Sequence, residues 1–541
     1  MQIAADVSTT PSEKDHRVTQ LLTSTARTPA DPGTARQHWE IVDGWADEAS
    51  PAQLIREVAD DAGWSAHETA ADDAGSGSCR LLGPAGTFVE AAWGPHPPTA
   101  PDTLEWGTPP ARRYRFLLRG PAPAPLTELA TRLGRHTAAL TAGEADAIWA
   151  AMPLTRQFAE PDDTFPGWAL IFRDHYVENS VGFLLGMERA GLDPRWIYAL
   201  AKGDRTRNRD RVHAWFLRRG YASDVLDNSV INGTAGPELQ RHALGVLADV
   251  ERFVHRAHEA GRRVLVVDDG GLLAQGYGSP GRARVDAAIE LTVSGLKRIE
   301  AVGALDIPVV NLARSGLKTC LGYNEIADSC LRRLRAILPG EKFTGRRVLC
   351  LGYGTLGARM ARGLRAVGCR VAVVDTDPLM LIEAAEHGFE TYRSLPAALA
   401  ACRPFLVIGN TGEAALAEAD LPLLPDGVYL AGFATKDFSV LTDGPLAERA
   451  TPVPGVGRRY ALPHDRTVTL LGDGRSLNLF EYEGIPNRGY DAYRAGTLIA
   501  ARALCRRPED FPIGAHTTAV DRIIGESGLF EAYYDRYLAD A

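Results

Sequence analysis

Three short stretches hold residues whose types and spacing suit chemistry on a small molecule. The first is Val348–Met360, VLCLGYGTLGARM, a β-type run that meets Gly352, Gly354 and Gly357 before the helical pattern ARMARGLRAVG. The first glycine suits a tight turn, the second lets backbone approach a pyrophosphate, and the third lets a helix pack on a strand. Amides at the helix start, at Thr355 and Leu356, are then the expected phosphate donors. A following strand, CRVAVVD, ends at Asp375, 18 residues after Gly357. A carboxylate there accepts from both ribose hydroxyls and repels a 2′-phosphate, which selects NAD over NADP. The second stretch, RRVLVVDDGG, ends in Asp268 and Asp269; the third, IPVVNLARSG, runs on to Lys318. On residue types alone Asp269 reads equally as a turn or cap carboxylate and Lys318 as a surface lysine.

These residues need a scaffold of alternating strands and helices, and from about residue 160 the chain has that texture. The strands PFLVIGNTG and GVYLAGF end at Asn410, Thr411 and Gly412 and at Gly432 and Phe433, which are expected on the nicotinamide side of the crevice. The fold class expected is α/β: a Rossmann NAD-binding domain (327–483) inserted in an α/β substrate domain (160–326, with a return segment 484–541). A small N-terminal α+β module (37–150) and a disordered leader (1–36) precede them. The module reads as a helix over AQLIREVADDAGW, strands over CRLLG, TFVEAAW and RYRFLLRG, a Pro-rich loop and a closing helix, PLTELATRLGRHTAALT. It holds no catalytic constellation and reads as a structural or docking appendage.

Composition narrows the partners. The 541 residues are 45% hydrophobic and 23% charged, with a net charge of −9, which repels nucleic acid and anionic membrane alike. No apolar run approaches the ~20 residues of a membrane span, and the N-terminus lacks a signal-peptide layout. Seven scattered cysteines without CxxC or Cys/His spacing suit reduced thiols in the cytoplasm, with no metal site expected.

Taken in order, LVVDDGG, ELTVSGLKRI, PVVNLARSGLKT, the glycine corner with its DTDP segment, and LLGDGRSLNL resemble the S-adenosylhomocysteine hydrolase family over roughly residues 165–505. The resemblance implies a tightly held, recycled NAD. A substrate hydroxyl is oxidised, the neighbouring C–H is thereby acidified, a β-group is lost or added, and the hydride returns. It places His175, in DHYVENSVGFLLGMERAGL, at the family's catalytic histidine, Asp269 at its aspartate and Lys318 at its lysine. It also implies that Thr292, Ser294 and Asn478 contact the cofactor, and that Glu290, Tyr323, Glu481 and Glu483 lie where substrate is gripped.

The match breaks in the substrate pocket. Leu291 stands where the family has a ribose-binding glutamate, Gly322-Tyr323 where it has Asp-Asn, and Ile485 where it has a histidine. The expectation is therefore an adenosylhomocysteinase-like hydrolase, lyase or dehydratase acting on a nucleoside or sugar-like small molecule in specialised metabolism, as a dimer or tetramer. Three alternatives stand beside it: an NAD-dependent alcohol dehydrogenase or oxidative decarboxylase releasing NADH, an ordinary adenosylhomocysteinase, and a catalytically silent NAD-binding regulator.

Overall fold

The computed structural model describes residues 37–47, 50–73, 75–96, 111–203, 206, 208–227, 229–230, 235–281, 284–303, 305–434, 436–443, 445–474, 476–477 and 488–539. The leader, most of the Pro-rich loop, and Asn478, Glu481 and Glu483 lie outside them. The chain divides into two compact units, 1–150 with 210–218, and 151–209 with 219–541.

The first unit is a five-stranded antiparallel sheet in the order His38–Asp47, Ala111–Gly120, Phe88–Pro95, Gly77–Leu82, Ser65–Ala71. Two strands, His38–Asp47 and Ser65–Ala71, were not expected from the sequence. The helices Pro51–Asp61 and Pro123–Thr137 bury Ile55, Val58, Leu126, Leu129 and Leu133 in the core that holds Trp93, Tyr114 and Phe116. Glu144 pairs with Arg211 at 2.6 Å, and the Arg211 guanidinium lies 4.1 Å over the Trp45 ring.

The second unit contains two sheets. One has seven parallel strands in the order Gly514–His516, Pro308–Asn311, Ala287–Glu290, Arg263–Asp268, Trp168–Asp174, Ile197–Ala201, Ala222–Val225. Its central strands are continuous apolar runs such as RVLVVD, as strands covered on both faces require. The strand order reverses between Trp168–Asp174 and Arg263–Asp268, so a crevice opens at their carboxyl ends.

The other sheet begins Glu390–Tyr392, Arg370–Val374, Arg347–Leu351, Leu406–Gly409, Val428–Gly432, Arg466–Leu471, all parallel, the 3-2-1-4-5-6 order of a dinucleotide-binding fold. Antiparallel strands Gly457–Leu462 and Thr451–Val453 extend its edge. The chain enters this sheet after Pro308–Asn311 and returns to pair Gly514–His516 with that same strand, so the dinucleotide fold is an insertion in the first. No helix among the described residues is long and apolar enough to cross a membrane.

Candidate active site

The carboxyl ends of neighbouring strands in the seven-stranded sheet deliver one charged group each. Trp168–Asp174 ends at Asp174 and leads to His175. Ile197–Ala201 leads directly to Lys202, and Arg263–Asp268 leads to Asp269. Lys202 Nζ lies 2.5 Å from Asp269 Oδ1 and 3.4 Å from His175 Nε2, and His175 Nε2 is 3.9 Å from Asp269 Oδ2. Burial alone raises the Asp269 carboxyl, but the Lys202 ammonium and the His175 ring override it and hold the group well below the usual carboxylate range.

Asp268, one residue earlier, is fully buried. It accepts from the Leu273 amide at 2.7 Å and lies 3.5 Å from Arg173 Nη1, so its work is internal. The two glycines that follow are required by backbone. Gly271 has φ +65°, and a Cβ there would come within 2.5 Å of the Gly295 carbonyl.

Lys318 sits at the start of a π-helical turn, Lys318–Gly322, after the strand Pro308–Asn311. Such turns recur at functional sites. Its stem lies along Gly322, where a Cβ would approach the Lys318 Cδ to 3.0 Å. The ammonium rests 4.2 Å from the Tyr493 ring centroid and 5.8 Å from that of Tyr323. Burial pushes Lys318 down to about 8 against the partial support of Asp269.

Behind these groups Arg494, only 3% exposed, joins Asp174 Oδ2 at 2.6 Å and Asn179 Oδ1 at 2.6 Å. Asp174, His175 and Asp269 bring ligand-type atoms within 4.8 Å of one another. Arg494 and Lys202 already occupy the two carboxylates, so the arrangement is an ion-pair network.

Glu290 is fully buried beside Asp268, where burial and that neighbouring carboxylate favour its neutral acid form. Its Oε1 accepts from the amides of Gly270 and Thr292 and from the Thr292 hydroxyl at 2.8 Å. The Thr292 hydroxyl also caps the helix Val293–Ala301 through the Gly295 amide, and Ser294 donates to it at 3.3 Å. Glu290, Thr292 and Ser294 thus form one knot that fixes a loop.

In the second sheet Gly352 has φ +85°, and a Cβ on Gly357 would fall 2.0 Å from the Gly352 carbonyl oxygen. Nothing lies within 4 Å of where a Gly354 Cβ would stand, and the helix Thr355–Ala366 begins there with open amides. This cradle fits a dinucleotide diphosphate. Asp375 accepts from the amides of Tyr353 at 2.6 Å and Asp377 at 2.9 Å, which fixes its carboxylate beside the cradle.

Asn410, Thr411 and Gly412 follow the strand across the reversal point from Gly352, and Asn410 Oδ1 is buried without a partner among the described residues. Asp437 organises that loop. Its carboxylate accepts from the Thr411 amide at 2.9 Å, the Thr411 hydroxyl at 2.7 Å, and the Gly412 and Ala434 amides.

Sequence reasoning missed Lys202, Asp437, Arg494 and Tyr493. For Lys202 the apolar run IYALA marks only the strand end that carries it, not its partner; the others sit in helices and loops that carry no such mark.

The fold and this cradle define an α/β protein that binds a nicotinamide dinucleotide at the reversal point of a parallel sheet. Residues 326–483 match the family model for the NAD-binding domain of S-adenosyl-L-homocysteine hydrolase, and NAD is the cofactor of this domain. It is 28% identical over 259 residues to the S-inosyl-L-homocysteine hydrolase of Methanopyrus kandleri, covering 46% of this chain and 59% of that one. It is 29% identical over 354 residues to the uncharacterized protein Rv0104 of Mycobacterium tuberculosis, covering 63% and 65%. In both cases the chain spans less than two thirds of the relative's length. Among solved structures, the A chain of dipicolinate synthase from Bacillus subtilis aligns with a TM-score of 0.32 at 14% identity, covering 64% of this chain and 98% of that one.

Proposed function

We propose that this protein is an adenosylhomocysteinase-like enzyme that oxidises an alcohol of a nucleoside or sugar-like substrate transiently, and eliminates or adds a group β to the new carbonyl. NAD, when bound, supplies a hydride acceptor that can give the hydride back. Lys318 takes the hydroxyl proton at Nζ; a buried amine near 8 is mostly protonated at neutral pH yet sheds its proton at modest cost. Asp269 and His175, joined across 3.9 Å, are the groups suited to move the proton of the carbon next to the carbonyl and to serve the departing or entering group. Tyr323 and Tyr493 wall the amine with rings and keep bulk water from it.

The observation that carries this reading is Lys318 itself. It is buried, without an ion-pair partner among the described residues, in a turn tied to the helix that opens at the dinucleotide cradle. The test is to purify the protein, assay it for bound NAD, and follow reduced-nicotinamide absorbance while nucleosides and sugar alcohols are added. Reduction that rises and decays with no NADH released into solution agrees with the proposal. Stoichiometric free NADH contradicts it in favour of a dehydrogenase, and the absence of reduction with any candidate contradicts it altogether.

A further inference from the structure

At the strand ends of the seven-stranded sheet, two ammonium groups approach one carboxylate. Lys202 takes it, at 2.5 Å from Asp269 Oδ1, and Lys318 forms no ion pair among the described residues. The remaining carboxylates are committed elsewhere. Asp174 belongs to Arg494 at 2.6 Å, Asp268 faces Arg173, and Glu290 is buried as the neutral acid. The other groups facing the pair are the His175 ring, 3.4 Å from Lys202 Nζ, and the phenols of Tyr323, Tyr490 and Tyr493, all raised by burial and therefore neutral.

We propose that Lys202 is a positioning residue: by holding Asp269 in an ion pair, it leaves Lys318 a buried amine without a counter-ion and so free to exchange a proton with the substrate hydroxyl. The inference rests on the base role assigned to Lys318 above. Its physical content is a competition. Asp269 stabilises the Lys318 ammonium, whereas Lys202 and Arg494 oppose it. With Lys202 absent, the Asp269 charge acts undiluted on the one ammonium left, and an amine locked in an ion pair is a poor base. No bond of Lys202 changes in the step it serves; only Lys318 gains and loses the proton.

The chain has six lysines, so lysine labelled with carbon-13 at Cε in the full-length, NAD-loaded protein gives a countable spectrum. The Lys318 resonance is identified by its loss in Lys318→Met and titrated with pH. Its midpoint is expected near 8 in the unsubstituted protein. In Lys202→Met it should rise by about one unit or more. In Lys202→Arg, which keeps a cation on Asp269, it should stay close to the parent, and in Asp269→Asn it should fall.

A midpoint unmoved in Lys202→Met, or shifted the same way in Lys202→Met and Asp269→Asn, overturns the proposal. If Lys202→Met does not fold, Asp269→Asn decides, because an unmoved midpoint there overturns it equally. The titration needs no turnover. Failure of the base role therefore shows separately, as Lys318→Met retaining nicotinamide reduction.

Discussion

Arg359, on the helix that opens at the dinucleotide cradle, donates from Nη2 to the carbonyl of Thr319, the residue after Lys318. The same guanidinium donates from Nε to Asn324 Oδ1 at 2.6 Å and from Nη1 to the Thr355 carbonyl at 2.8 Å. One side chain thus ties the lysine turn of the first sheet to the first turn of the cofactor helix of the second. A second tie, Lys297 to Glu413 at 3.3 Å, is exposed and contributes little.

Arg359→Ala should therefore cost about 1–3 kcal/mol of stability, as hydrogen bonds from a charged donor do. The loss of nicotinamide reduction should be larger, about ten- to a hundredfold, because the amine is displaced from the substrate hydroxyl whose proton it takes. Arg359→Lys should recover little, since one ammonium cannot serve three acceptors set in a plane. Urea unfolding set beside reduced-nicotinamide absorbance separates the effects. A variant that loses stability but keeps the parent's reduction rate would show that the tie does not position Lys318.

Lys318→Met should abolish reduction while making the protein more stable at neutral pH. The folded value of Lys318 lies near 8 and the unfolded value near 10.5. Between those two pH values the folded chain binds fewer protons than the unfolded one, so stability rises with pH across that window. Below it, folding buries a charged ammonium at a cost on the order of 2–4 kcal/mol, and methionine removes that cost. The advantage of the variant should be full at pH 7 and gone above about 10.5. Unfolding free energies at the two ends of the window check it, and a variant destabilised equally at both would show that Lys318 is not held there as a strained charge.

The cofactor half of the protein was legible because its signals are local. Gly352, Gly354, Gly357 and Asp375 follow one another within two strands and a helix; Gly352 and Gly357 are required by the backbone, and Gly354 leaves the space over the helix start open. The ion-pair network was not, because its partners are far apart in sequence: Lys202 meets Asp269 across 67 residues and Arg494 meets Asp174 across 320. A lysine after a five-residue strand looks like any solvated lysine until the sheet order places a carboxylate beside it. Thr292 and Glu290 are placed at cofactor and substrate by resemblance alone; in the fold Glu290 Oε1 accepts from Thr292, and the Thr292 hydroxyl caps the helix start, a pairing that spacing does not announce. In the N-terminal unit the strand His38–Asp47 alternates in burial along its whole length, but His38, Glu40 and Gly44 lie on the more buried face while Trp39 and Ile41 are exposed, so its apolar residues do not trace the alternation that marks a half-buried strand.

Asp437→Ala should loosen the cofactor loop. The substitution strands the amides of Thr411, Gly412 and Ala434 without their acceptor, at about 1–3 kcal/mol for each that water cannot reach. Bound NAD measured after gel filtration should fall at least tenfold. Asp437→Asn keeps one acceptor oxygen and should retain more cofactor than Asp437→Ala. Equal NAD content in all three proteins would show that the loop keeps its shape without this carboxylate.

The two glycines of the corner should fail in different ways. A methyl on Gly357 would sit 2.0 Å from the Gly352 carbonyl, a backbone atom that cannot swing aside, so Gly357→Ala must lift the helix from the strand. It should lower stability by about 2–3 kcal/mol and remove NAD with it. A methyl on Gly354 meets no protein atom within 4 Å, and the residue has φ −64°, which alanine adopts freely. Gly354→Ala should fold within about 1 kcal/mol of the parent yet bind NAD at least tenfold more weakly, because the methyl fills the space the diphosphate needs. Thermal unfolding of cofactor-stripped protein, paired with NAD titration by calorimetry, reads both quantities. If Gly354→Ala binds NAD as the parent does, the diphosphate does not lie over the second glycine, and the cradle described here is not where the cofactor is held.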